Sequence, residues 1–158
     1  MHPRTGGRFA AFIGAVLIAA AATAQTGDKY TARLSMVPAA NAAQQANVVG
    51  KGTATAVLAG NKLTVSGSFE GLPAPATAAR VHQGVAKGAR GKAIADLTIT
   101  KGTSGTLSGS LTLTPEQLEA LKAGRLYVQV HSEKGIPAEQ GKVQADVDNS
   151  NLWGWLLK

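Results

Sequence analysis

Three histidines occur in the 158-residue chain: His2, His82 and His131. Imidazole is the one common side chain that binds metals and moves protons near neutral pH. His2 lies in a segment read below as an export signal, so His82 and His131 are the candidate pair. Two imidazoles suit copper or zinc, and Asp96 or Glu133 could add a third ligand. Against this, Arg80 stands two residues from His82 and is a poor neighbour for a cation. The simpler use is a hydrogen bond from each ring to backbone or to a nearby Tyr or Glu. A count of two favours that use, and no bound cofactor is expected.

The second chemical feature is basic. Arg80, Lys87, Arg90 and Lys92 fall within "ARVHQGVAKGARGK", residues 79–92. Such a cluster can attract phosphate or an acidic surface. It lacks the Gly-Lys-Ser/Thr ending of a phosphate-binding loop. No aromatic residues are interleaved with the charges, so nucleic acid is not an expected partner. A solvated loop that keeps a strand soluble is the plainer reading. Catalysis has little support. Ser132 follows His131 directly, and adjacent strand residues face opposite ways. No GxSxG motif occurs, and Asp96, Glu116, Glu119, Glu133 and Glu139 are scattered. The absence of cysteine excludes thiol catalysis and thiolate metal sites. The chain is therefore not expected to be an enzyme.

The first 24 residues set the expected compartment. "MHPRTGGR" carries two arginines and no acid, "FAAFIGAVLIAAAA" is an apolar run of 14, and "ATA" puts small residues before Gln25. This order is that of a cleaved secretory signal. The apolar run is short for a membrane span, which needs about 20 residues. Cleavage would remove Arg4 and Arg8 and leave 14 basic against 9 acidic residues, a net of +5. The mature protein is expected in the periplasm or outside the cell. With no disulfide to help, burial must stabilise it, and roughly 130 residues are enough for one core.

The elements that would position these groups read as strands. "YTARLSMV" opens, and "TATAVLAGNKLTVSGSF" reads as two strands around a turn at "AGNK". Leu63, Val65, Gly67 and Phe69 alternate with Thr64, Ser66 and Ser68, the period of a strand with one buried face. "GLPAPATA" is a loop, since its prolines cannot donate to a ladder. "ARVHQG" is a short strand, and "AIADLTIT" and "TLSGSLTLT" flank "KGTSG" as a hairpin. "TPEQLEALKAG" is the one good helix after the signal: Thr114 caps it, Pro115 starts it, Gln117 completes a capping box and Gly124 ends it. "RLYVQVHS" and "GKVQADV" are the last strands. Parity puts Val81, Val128 and Val130 inward. His82 then points outward with Arg80, and His131 outward with Tyr127 and Gln129. Seven or eight such strands predict an all-β, antiparallel sandwich or barrel.

Taken together, "YTARLS", "GTATAVL", "LTVSGSFEGL", a short strand ending in His, and "GTLSGSLTLTPEQLEALKAGRLYVQVHS" with a closing "KVQADV" resemble the CHRD domain. The resemblance runs over roughly residues 29–147 and is most specific from Gly105 to Ser132. It implies an immunoglobulin-like β-sandwich distantly similar to copper–zinc superoxide dismutases. Many members read HxH where this chain has Arg80-Val81-His82, and the closing strand matches only with a shift. A dismutase-like copper site needs a cluster of histidines, which two cannot supply.

The sequence thus divides into a signal (1–24), a CHRD-like β-domain (25–148) and a tail (149–158). The tail, "NSNLWGWLLK", holds both tryptophans of the chain. Trp153, Trp155 and Leu157 share parity and would lie on one face of an extended arm. The plainer reading is a strand or lid packed on the domain itself; the alternative is an arm on which these three are the candidate partner-binding residues, either for a protein or for a membrane surface. The expected function is a non-catalytic binding or accessory protein that docks on a protein or envelope partner. A copper- or zinc-binding protein centred on His82 and His131 is the alternative.

Overall fold

The computed structural model describes residues 26–136 and 149–158. Eight strands and two short helices occur among them. In chain order they are β1 (Asp28–Met36), α1 (Ala42–Gln45), β2 (Lys51–Ala59), β3 (Lys62–Glu70), β4 (Ala76–Gly84), β5 (Gly91–Ile99), β6 (Gly105–Thr112), α2 (Pro115–Lys122), β7 (Leu126–Ser132) and β8 (Asn149–Trp155). Every strand pair is antiparallel, and the order β1-β2-β3-β6-β5-β4-β7-β8 returns to β1 as a closed barrel.

Two strands change partners partway, and this closes the wall. Residues 28–34 of β1 pair with β2, whereas Ser35 and Met36 pair with β8. The first part of β5 pairs with β4, and Thr98 and Ile99 pair with β6. These two corners join what would otherwise be two facing sheets. The predicted antiparallel all-β architecture therefore forms, but as one continuous barrel rather than as two separate sheets of an immunoglobulin-like sandwich. The β5–β6 seam within the wall is only two residue pairs long.

Alternation drives the wall. In β3, Leu63, Val65 and Phe69 are buried while Lys62, Ser66, Ser68 and Glu70 are exposed. Gly60, in the left-handed region at φ 62°, makes the tight turn between β2 and β3. The core is filled by Leu34, Leu63, Val65, Phe69, Val81, Leu107, Val128, Val130, Leu152 and their neighbours. The helix α2 seals the end where β1 begins, adding Ala120 and Leu121 to that core. Its capping box is as read: Gln117 N donates to Thr114 Oγ1 at 3.2 Å, and Thr114 N donates to Gln117 Oε1 at 2.9 Å. Gly124 follows at φ 67°.

One reading of the sequence needs correction. A second helix, α1, occupies the Ala-rich stretch between β1 and β2, nucleated by Asn41, whose side chain accepts from Gln44 N. Residues 149–158 take the plainer of the two forms read for them, a strand packed on the domain. They supply β8, which sits between β7 and β1 and completes the barrel. Leu152 and Leu156 point into the core with no exposed surface. Beyond the strand, Thr31 and Leu157 exchange backbone hydrogen bonds at 2.7 and 2.9 Å. The signal at 1–24 and the strand read at "GKVQADV" lie outside the described residues.

Candidate functional site

The outer faces of β4, β7 and β8 carry the candidate chemistry. These strands are neighbours, so their register places the side chains in rows. His82 lies opposite Tyr127, and Tyr127 opposite Trp155. Arg80 lies opposite Gln129, and Gln129 opposite Trp153. One step on, His131 lies opposite Ser150. The predicted parity is right: Val81, Val128 and Val130 face the core, and the histidines face away from it.

What parity did not show is that this outer face is itself covered. His82, Gln129 and His131 have no exposed surface, and Tyr127 has almost none. Every residue of β7 is buried. The rings form one stack: His82 on Tyr127 at 4.9 Å, Tyr127 on Trp155 at 4.5 Å, and His82 on His131 at 6.2 Å between centroids. Trp153 meets Tyr127 and Trp155 edge-on at 5.9 and 5.8 Å. Aromatic contacts of this kind add about 0.5–1.5 kcal/mol each beyond the area they bury.

Much of the polar chemistry of this stack is directed at the β4–β5 loop, residues 85–90. The His82 ring nitrogen Nδ1 lies 3.1 Å from the Gly91 carbonyl. A carbonyl only accepts, so that nitrogen carries the proton. The Tyr127 hydroxyl grips the same residue twice, accepting from Gly91 N at 3.2 Å and donating to Gly91 O at 3.3 Å. Arg90 lies with its guanidinium 5.6 Å from the Trp153 ring centre and donates to Ser150 Oγ at 3.4 Å. At the other root of the loop, Gly84 N donates to Arg125 O at 2.8 Å. A Cβ on Gly91 would run into the Gln83 carbonyl, so glycine is what lets β5 approach β4 here. The loop is thus fixed at both roots by buried groups.

The candidate residues separate accordingly. Lys87 and Lys92 are exposed, one in the loop and one just past it, and Arg90 is exposed while anchored. Arg80 does not join them. It sits in mid-strand and pairs with Asp96, Nε to Oδ1 at 2.9 Å. Trp153 and Trp155 do share a face, but it is the half-covered face of the ring stack. Leu157 lies apart from them, 38% exposed, beside Gly124.

A metal centre finds little to build on. Asp96, one offered third ligand, is held by Arg80. Glu133, the other, follows β7 and its backbone N donates to Pro75 O. Among the described residues no three His, Cys, Asp or Glu side chains come together as a ligand set. Reasoning from sequence missed the joint role of Tyr127, Trp153 and Trp155. The available signal was the repeated aromatic at outward positions of two strands, but only the strand order brings those strands side by side.

The sequence profile of the CHRD domain matches residues 30–139. No curated protein sequence matches the chain. The match spans β1 to β7 and stops short of β8, the strand that closes the same barrel. On the strength of that match, the chain belongs to the CHRD domain family.

Proposed function

We propose that this protein is a non-catalytic docking module of the cell envelope, exported after removal of residues 1–24, whose contact surface is the basic loop between β4 and β5. The observation that carries the reading is the double grip of His82 and Tyr127 on Gly91. The buried rings that could have served chemistry instead hold a loop in one shape. A loop ordered in advance loses less entropy when a partner binds. The same arrangement leaves Lys87 and Lys92 in water, where they can attract an acidic partner.

The test is sedimentation with isolated envelope fragments. The mature protein is expected to travel with them at low ionic strength and to be released as salt rises. The double variant Lys87→Glu/Lys92→Glu is expected to stay in solution with an unchanged thermal melt, since both side chains are exposed. If that variant sediments as well as the wild type, the loop is not the contact surface.

A further inference from the structure

The end of the barrel that carries the basic loop has two further properties. It is where β1, β3, β5 and β7 begin and where β2, β4, β6 and β8 finish. Lys87, Arg90 and Lys92 lie there with Lys122 and Arg125 around the end of α2, with Lys29 and Lys62 at the starts of β1 and β3, and with Lys158. Against these eight cations stand three acidic side chains, Asp28, Glu116 and Glu119. Two of the carboxylates are already engaged, Asp28 with Lys158 at 2.8 Å and Glu119 with Lys122 at 2.9 Å. Lys87 has no carboxylate partner among the described residues.

Apolar groups break the surface at the same end. Val85, the first residue of the loop, is 74% exposed, the highest value of any large apolar side chain among the described residues. Leu157 is 38% exposed. A recess of about 450 Å³ lies beside it, lined by Leu121, Leu156 and Leu157 and by Lys87, Lys122 and Lys158. Lys87 and Leu157 both pack around Gly124, so cation and apolar side chain are adjacent. At the opposite end Met36 and Val49 are exposed too, but Lys51 there pairs with Glu70 and Lys101 donates to the Thr77 carbonyl.

We propose that this end of the barrel docks on the surface of an anionic phospholipid bilayer, with Val85 and Leu157 entering the headgroup layer and Lys87, Lys122 and Lys158 meeting lipid phosphates. The inference rests on the docking function proposed above and names its partner. A protein partner with an acidic face would satisfy the lysines but would give a single valine at a loop tip, 74% exposed, no specific pocket. A bilayer accepts an apolar tip anywhere on its surface, and its charge is spread as the lysines are.

Flotation of the mature protein with lipid vesicles decides the matter. Vesicles of phosphatidylcholine with added phosphatidylglycerol are expected to carry the protein upward, and vesicles of phosphatidylcholine alone are not. Lys87→Ala should weaken binding about five-fold, the weight of one cation near an anionic surface. Val85→Ser should weaken it by up to about ten-fold at unchanged charge, from the loss of one buried apolar side chain. A Val85→Ser variant that binds as tightly as the wild type overturns the bilayer reading, because a purely electrostatic contact would not notice it. Binding to envelope fragments or to soluble polyphosphate, with none to anionic vesicles, overturns the lipid partner and leaves the docking function standing. Absence of binding to envelope fragments as well removes both.

Discussion

Replacing Leu152 with Ala tests whether the last ten residues are a barrel strand or an appended arm. Leu152 has no exposed surface, lies opposite Val130 on β7 and Met36 on β1, and belongs to the central core. Truncating a leucine so placed costs about 2–5 kcal/mol, the transfer of the lost methyl groups plus the cavity they leave. A domain of this size has roughly 5–15 kcal/mol of stability in total. At roughly 3–5 °C per kcal/mol for a chain of this length, the melt should fall by about 6–25 °C. Leu157→Ala is the internal control, since Leu157 is 38% exposed and follows the strand; its cost should stay below about 1.5 kcal/mol. Circular dichroism gives the global melt. Tryptophan emission gives a local one, because the chain's only two tryptophans both lie on β8. The two signals should move together in Leu152→Ala. If Leu152→Ala melts with Leu157→Ala, or if emission changes well before ellipticity, β8 is not an integral strand and the closed barrel is wrong.

Other consequences can be checked separately. Tyr127→Phe removes the hydroxyl that bonds both polar groups of Gly91 and should cost about 1–3 kcal/mol, with faster amide exchange at Gly91 and through residues 85–90 than elsewhere. Gly91→Ala should loosen the same loop by pressing β5 away from the Gln83 carbonyl, and amide exchange there reads it directly. Lys158 is held protonated above the ordinary lysine value of 10.5, first through its hydrogen bond to Asp28 and then by that group's charge. A raised value means the pair's contribution is complete below pH 10.5 and fades as pH climbs through the higher folded value. An NMR titration of Lys158 should therefore show a lower midpoint in Asp28→Asn; an unmoved midpoint refutes the pair. Intact mass of the protein recovered from its native compartment should begin at Gln25, and a species retaining residues 1–24 in the membrane fraction would replace the signal with an anchor.

Much of this architecture can be read from the residues, and the parts that cannot have a common cause. Where one face of a strand is wet, the pattern speaks: Leu63, Val65 and Phe69 against Ser66 and Ser68 place β3 correctly and even assign its inner face. The capping box of α2 is local chemistry and needs no tertiary context. Strands covered on both faces lose that signal. From Leu152 to Trp155, β8 alternates leucine and glycine on the core side with tryptophan on the outer face, so this half shows no polar phase and resembles an apolar arm. The same holds for β7, where parity finds the outward residues but not their burial. Periodicity reports which residues share a face; whether that face meets water depends on segments distant in sequence. The pairing of Arg80 with Asp96 was hidden for a related reason, because it needs the β4–β5 register and not the cluster of basic residues in the chain.

Whether the histidine, tyrosine and tryptophan stack serves, as proposed, to hold a basic docking loop is read from an envelope-binding isotherm of the mature protein stripped with a chelator, measured across a range of salt. Affinity is expected to be full without metal and to fall steadily as salt screens Lys87 and Lys92. Binding that disappears on chelation and returns with copper or zinc, or that ignores salt, would contradict the proposal.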